Sequence, residues 1–516
     1  MEITWDISTV TLLAAAVIII SKLTTDYLRP KRKSPPGPKP WPIIGNLNLL
    51  GNTPHQALHQ LSRTYGTIMQ LKFGSFPVVI ASSPEMAKQF LKTYDHVFCS
   101  RPATAAGKYT SYNYSDMTWA PYGPYWRQAR RIYVNEIFNA RRLGSSEYIR
   151  VEERRAFISR LFAASGKPVV LKEHLSHYTL SSISRMVMGN KYFTQSESDS
   201  GDQGSIITFK EFHAMMDEWF LLNGVFNTGD WIPWLSFLDF QGYVKRMKAL
   251  YKKWDRFHNH VISDHKSRRQ QSEESFDKDM VDVLLQHAED PNLEIRLTSD
   301  CVKGLMQDLL NGGTDTSATT VEWAIHEVLR QPRIIEKARK ELDRVIGREK
   351  WVEEEDLSKL PYIDAIIKES LRLHPLATLL APHFSIEDCE VSGYHIPRGT
   401  TILINTWSIG RDPNSWDEPE EFRPERFLLE KSDIDLAGRS FELLPFGSGR
   451  RKCPGYSLGT KMIRSTLANL LHGFDIKLPG DMKPEDICME ELYGLTTHPK
   501  VPLALVMDPR LPLHLY

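Results

Sequence analysis

Apolar residues recur every three or four positions along much of the chain, the spacing of a single buried helix face. This pattern predicts helices over residues 55–65, 84–93, 299–330, 333–346, 361–373 and 456–474. At about 1.5 Å per residue the 299–330 segment is nearly 50 Å long, enough to cross a whole domain, and Pro332 stops it. Alternation with period two is scarcer. Residues 68–73 and 78–81 predict a hairpin turned by Gly74-Ser75-Phe76-Pro77, and the runs 391–396 and 400–405 predict more sheet. The Ser/Asp/Gly-rich piece 195–205 predicts an exposed loop, and no internal repeat is found. The fold class expected is mainly α with a minor β-sheet region.

Composition narrows this picture. The 516 residues are 41% hydrophobic and 25% charged, a globular composition. With 64 basic and 64 acidic residues the net charge is zero, so no global field argues for nucleic acid. The cysteines (Cys99, Cys301, Cys389, Cys453 and Cys488) are odd in number and widely spaced, which signals neither a disulfide framework nor a zinc site.

The apolar run 5–23 is about 28 Å long as a helix, just enough to cross a bilayer. Its flanking positive charges (Lys22, Arg29, Lys31, Arg32, Lys33) follow it, which predicts a signal anchor with everything downstream cytosolic. A cleaved secretory signal is the alternative. The expected organisation is an anchor over 1–28, a proline-rich hinge or plain linker over 29–42, and one catalytic body over 43–516. The aromatic run 231–240 suits either a membrane interface or a buried loop.

The most informative stretch reads LPFGSGRRKCPGYSLG from Leu444. Three glycines and Pro454 hold Cys453 in a tight irregular loop at the start of a helix, beside Arg450, Arg451 and Lys452. Positive potential there should acidify the thiol and make it a metal ligand or nucleophile. Phe446 is placed to shield it from water. The spacing Phe446, Gly449, Arg451, Cys453, Gly455 resembles the haem-binding loop of the cytochrome P-450 family, F-x-x-G-x-R-x-C-x-G, at every specified position. Further stretches agree: Glu369-Ser-Leu-Arg372 with Pro424-Glu-Arg426-Phe, Gly312-Gly-Thr-Asp315-Thr316-Ser, and Trp126-x-x-x-Arg130. GGTDTSATTVEWA, KESLRLHP, FRPERF and PFGSGRRKCPG are similar to the plant endoplasmic-reticulum group.

That resemblance implies a cytochrome P-450 fold behind an N-terminal transmembrane helix, and haem b bound through Cys453. Trp126, Arg130, Arg451 and His383 are implied as partners of the haem propionates, although His383 stands where arginine is frequent and reads equally as a satisfied surface histidine. Glu369, Arg372 and Arg426 would form a buried structural triad. Asp315 and Thr316 would be the acid–alcohol pair that supplies protons during dioxygen activation, and Gly312 replaces the usual alanine. The implied activity inserts one atom of dioxygen into a hydrophobic specialised metabolite, a terpenoid or phenylpropanoid/flavonoid. The chain has no dinucleotide fingerprint, so electrons are expected from a separate NADPH-dependent reductase, docked on Arg127, Arg131, Arg141, Arg142 and Lys452 unless these are dispersed surface charges. Substrate contacts are expected from 108–119, 218–226, 305–314, 376–381 and 495–496. A haem-thiolate isomerase or dehydratase acting on oxidised lipids, or a non-catalytic haem carrier or sensor, are the rival readings.

Overall fold

The computed structural model describes residues 32–194, 207–271 and 278–516. The apolar run 5–23 and the predicted loop 195–205 lie outside these. Among the described residues no helix is long and apolar enough to cross a membrane.

The helix Ser299–Arg330 runs unbroken through the body. Thr298 caps it, its Oγ1 accepting from the Cys301 N–H at 3.3 Å, and Pro332 opens the next helix, Pro332–Val345, at the position where its missing N–H costs nothing. Nearly every turn of the long helix is buried (Leu305, Met306, Leu310, Ala318, Ala324 and Ile325 among them), so it is the axis of the core rather than a surface stripe. The helices Leu171–Met188, Pro361–Leu373 and Tyr456–Gly473 pack along it. The expected 299–330 and 361–373 boundaries match, and the 333–346 segment begins and ends one residue earlier.

Sheet is minor, as the sparse alternation implied. A four-stranded sheet runs in the order Ile68–Phe73, Phe76–Ala81, Thr401–Ile404, His383–Phe384, with the middle pair parallel. The first hairpin is tighter than predicted. Its turn is Gly74-Ser75, with Gly74 at φ +52°, and Pro77 already pairs with Lys72. A two-residue connection of this kind favours glycine at its first position. The run 391–396 is not one strand but the turn and second arm of a hairpin, Cys389–Val391 with Tyr394–Ile396. Ser392 and Gly393 both take positive φ there, which reverses the chain.

The proline-rich segment is strapped to the body over its described part. Gln70 donates its N–H to the Pro36 carbonyl at 2.8 Å, and a Cβ on Gly37 would come within 1.9 Å of the Gln70 oxygen.

Two wide helical turns carry residues of the site. Gln89–Thr93 and Tyr133–Ile137 close i to i+5 bonds, Tyr94 to Gln89 at 2.9 Å and Phe138 to Tyr133 at 2.8 Å. Wide turns of this type re-aim the residue that follows them. The first delivers Asp95 and the second Phe138 against the Cys453 loop.

Candidate active site

The loop before Tyr456–Gly473 is fixed at both ends by backbone. Cys453 N–H donates to the Phe446 carbonyl at 2.9 Å, and Gly447 and Gly449 take φ of +64° and +69°. Gly449 has no substitute, because only glycine lacks the Cβ that this backbone excludes. A Cβ would stand 2.2 Å from the Leu91 carbonyl oxygen and 2.9 Å from an Asp95 oxygen. Asp95 instead accepts from the Arg450 guanidinium at 2.6 Å. Phe138 lies 3.5 Å from where a Gly455 Cβ would be.

The expectation of an acidified thiol fails in the protein alone. Burial pushes the Cys453 pKa up, and the Gly455 N–H, Arg130 and Lys452 only partly offset it, the usual result for a thiol withdrawn from water. The reason lies in where the cations point. Arg450 is engaged by Asp95, and Arg451 reaches away to the carbonyls of Cys99, Met117 and Ala120 at 2.7, 3.1 and 2.6 Å. Metal coordination would itself deprotonate the sulfur.

Cys453 and Phe446 form one wall of a cavity of about 330 Å³; Gly312, Gly313 and Thr316 of the long helix form the opposite one. At the cavity's end stand Trp126, Arg130, His383, Arg451 and one residue the sequence reading missed, Arg101. Arg101 donates to the carbonyls of Thr118, Ala381 and Pro382 at 2.8–2.9 Å, and Arg130 makes no side-chain hydrogen bond among the described residues. None of the three arginines is ion-paired with a carboxylate there. Three partly buried guanidiniums without a counter-charge, at one edge of a slot closed by a thiol, fit the two propionates and the iron of haem.

His383 is placed at this edge, but as a neutral group. Burial, then Arg101 and Arg451, hold its pKa well below the usual histidine range, and its Nδ1 lies 3.0 Å from the Phe98 carbonyl. Arg101 supplies the charge that an arginine at 383 would have brought. No local signal in the sequence marks it, because it meets the site across a 280-residue separation. Trp126 uses its indole N–H on the Met117 carbonyl at 3.1 Å, with the Arg451 guanidinium 4.4 Å above the ring.

On the opposite wall, the Thr316 hydroxyl donates back to the Gly312 carbonyl at 2.8 Å. That back-bond leaves its lone pairs toward the cavity side free to accept. Asp315 faces away from the cavity into a polar cluster. Its Oδ1 accepts from Lys172 at 2.6 Å; its Oδ2 lies 3.2 Å from His498 Nε2 and 3.3 Å from the Thr496 hydroxyl. Burial alone would raise this carboxyl, yet His498 in its charged form and the Lys172 ammonium, which stays charged when the imidazole is neutral, hold it below the usual range, a case of nearby charge outweighing desolvation.

A second carboxyl, within the predicted 305–314 segment, does enter the cavity. Asp308 accepts from the Met117 and Thr118 N–H groups and the Thr118 hydroxyl, pinning the 111–120 loop to the long helix. Burial and then the neighbouring Asp116 raise its pKa well above normal, and the Met117 and Thr118 donors only partly offset them.

The predicted substrate segments meet around this cavity and an adjoining chamber of about 60 Å³; Ala377 and Leu380 belong to both. Leu222, Phe226, Leu379 and Leu495 make the chamber's apolar walls, and Asn223 and Asp230 are its polar points.

Comparison with known proteins agrees with this geometry. The cytochrome P450 family model matches residues 35–505. A trimethyltridecatetraene synthase of Zea mays is 45% identical over 98% of this chain and 94% of its own length. A flavonoid 3'-monooxygenase of Petunia hybrida is 42% identical over 93% of both chains. A zebrafish cytochrome P450 solved with abiraterone shares the fold at a TM-score of 0.74 and 24% identity, covering 89% of this chain and 100% of that one. With a family model spanning most of its length and relatives more than two fifths identical, this chain belongs to the cytochrome P450 family.

Proposed function

We propose that this chain is a haem-thiolate monooxygenase that inserts one oxygen atom from dioxygen into a small apolar plant metabolite, with electrons from an NADPH-dependent reductase. The observation that carries it is one cavity in which Cys453 faces Gly312, Gly313 and Thr316 while three arginines without carboxylate partners gather at one edge. Cys453 would hold the iron, and Arg101, Arg130, Arg451, Trp126 and His383 would hold the propionates. Haem bound there supplies the electron-transfer and dioxygen chemistry, helped by electron donation from the thiolate. The protein's own residues do the rest. Phe446 covers the sulfur, Asp308 fixes the loop that closes the cavity, and Asp315 with Thr316 manages protons.

The substrate class follows from two supports. The adjoining chamber is mostly apolar, and the relatives are named for trimethyltridecatetraene and for a flavonoid. A terpenoid or flavonoid-like molecule fits both.

The location we propose is the endoplasmic-reticulum membrane, held by the 5–23 segment. The body adds an apolar tip. Trp231 and Ile232 are buried, but Trp234, Phe237, Leu238 and Phe240 are 44–79% exposed, which sorts the two readings of the 231–240 run by residue. Trp41 and Ile43, also exposed, belong to a segment tied to the same Gly74-Ser75 turn, since Ser75 donates to the Trp231 carbonyl and Gly74 to the Ile44 carbonyl. Such a cluster suits a lipid interface. Arg127, Arg131 and Arg141 are exposed and would contribute to the reductase face.

The test is the purified protein with a reductase, screened on terpenoid and phenolic libraries under labelled dioxygen. A red-shifted ferrous carbonyl band and a product carrying one labelled atom are expected. Absence of haem would refute the reading. Turnover without NADPH or dioxygen would replace it with an isomerase or dehydratase, and haem without turnover would replace it with a carrier or sensor.

A further inference from the structure

The hairpin Glu491–Leu492/His498–Pro499 places two residues beside the long helix that no motif identified. Thr496 lines the haem cavity, and its hydroxyl lies 2.8 Å from His498 Nε2 and 3.3 Å from Asp315 Oδ2. His498 Nδ1 lies 3.1 Å from the Thr319 hydroxyl, which accepts from Lys172 at 2.7 Å. Asp315 itself does not line the cavity. The cluster therefore touches the cavity through Thr496 and touches water chiefly through the His498 side chain, 20% exposed against 5% for Asp315 and 14% for Lys172.

We propose that protons enter the cavity from this hairpin, through the His498 imidazole and the Thr496 hydroxyl, with Lys172 holding Asp315 as the carboxylate that orients both. The inference rests on the monooxygenase reading and on Asp315 serving proton supply.

The step balances without any other reagent. Thr496 releases its hydroxyl proton into the cavity and regains one from His498 Nε2, whose N–H bond breaks. The imidazole is refilled from water and returns to the Nε2–H tautomer before the next transfer, so one bulk proton replaces each one delivered. The groups facing His498 are Asp315, Lys172, Asp217 and His213, and Glu322 stands beyond Lys172. Burial keeps the imidazole pKa below its usual value despite Asp315, so it is neutral between transfers and able to accept. Thr316 acts beside this arm rather than in it, because its hydroxyl bonds back to the Gly312 carbonyl and not to Asp315, His498 or Thr496.

Thr496→Val, Thr496→Ser, His498→Gln and Asp315→Asn would be compared in the full-length holoprotein with its reductase in vesicles. Two readouts serve. NADPH oxidation without added substrate is followed against pH in light and heavy water, and the stretching band of carbon monoxide on the ferrous protein is followed against pH. T496V and H498Q should slow oxidation about a hundredfold, at the low end for a positioned proton donor, and T496S should recover it. The carbon monoxide band should titrate in the unmodified protein and stay fixed in H498Q. The red-shifted thiolate band checks that each variant folds; T496A replaces T496V if that fails. T496V and H498Q matching the unmodified rate, isotope effect and titration, with D315N slow, would overturn the hairpin arm and leave the Asp315 reading standing. D315N unchanged as well would remove both.

Discussion

At the scale of single residues, neighbours a few positions apart were legible and distant ones were not. The Cys453 loop and the Trp126/Arg130 pair each lie within ten residues of sequence, so their spacing could carry the family resemblance that marked them. Arg101, Asp308, Lys172 and His498 gain their meaning only from contacts across the fold, which no window reveals. The Glu369 triad is an intermediate case: two members are local, and the structure closes it. Arg372 pairs with Glu369 at 2.7 Å and Arg426 at 3.0 Å, with all three side chains at most 1% exposed. Glu369 also accepts from the Arg423 N–H at 2.7 Å. Glu369→Ala should therefore strand two buried guanidiniums and cost about 3–5 kcal/mol, read by thermal or denaturant unfolding. Glycines divide just as sharply. A Cβ at Gly312 meets nothing within 4 Å. Gly312→Ala should therefore stabilise the long helix by about 0.5–1 kcal/mol and narrow the cavity above Cys453. Gly449→Ala should instead fail to accumulate as a pigmented protein. Parallel unfolding curves and haem absorbance of the two variants check the contrast.

At the scale of elements, helices were legible because their period is internal, whereas short strands borrow their register from partners far away. The four-stranded sheet illustrates this: Val78 pairs with Thr401, a contact the local alternation cannot announce. The hairpin that carries Thr496 and His498 is held the same way, by long-range polar contacts. Glu491 accepts from Gln56 at 2.6 Å and from the Trp407 indole at 3.2 Å, and pairs with buried His55 at 2.7 Å. Burial opposes ionisation of Glu491, but His55 outweighs it and the pKa falls to about 2. A depressed carboxyl pKa stabilises fully above the unfolded value. That contribution is lost as pH falls from about 4.5 through about 2. Glu491→Gln should thus lower stability by about 1–3 kcal/mol at neutral pH and flatten the acid limb of the stability curve. A Glu491→Gln curve with the unmodified acid slope would show that the hairpin is anchored elsewhere.

At the scale of the whole molecule, the chemistry and the apolar tip are linked by one path. Trp231 closes the adjoining chamber from within, while three residues along the same chain Trp234 stands 60% exposed, with Phe237 at 79% and Phe240 at 68%. A segment buried at its start and bare at its end gains nothing from that exposure in water, since each bare aromatic forgoes about 1.5–3 kcal/mol of burial. Lipid would recover part of it and place the chamber mouth where apolar substrates concentrate. The body lacking residues 1–31 should therefore still bind neutral vesicles, measured by flotation. Replacing Trp234, Phe237 and Phe240 together with serine should release it, with the ferrous carbonyl band unchanged because none of the three lines the haem cavity. In the full-length protein the same triple replacement should raise the apparent KM for an apolar substrate delivered from lipid and leave kcat alone, because the anchor proposed over 5–23 would keep the protein on the membrane while the mouth is lifted from it. Equal flotation of the two truncated proteins would assign these aromatics to a protein partner instead of lipid.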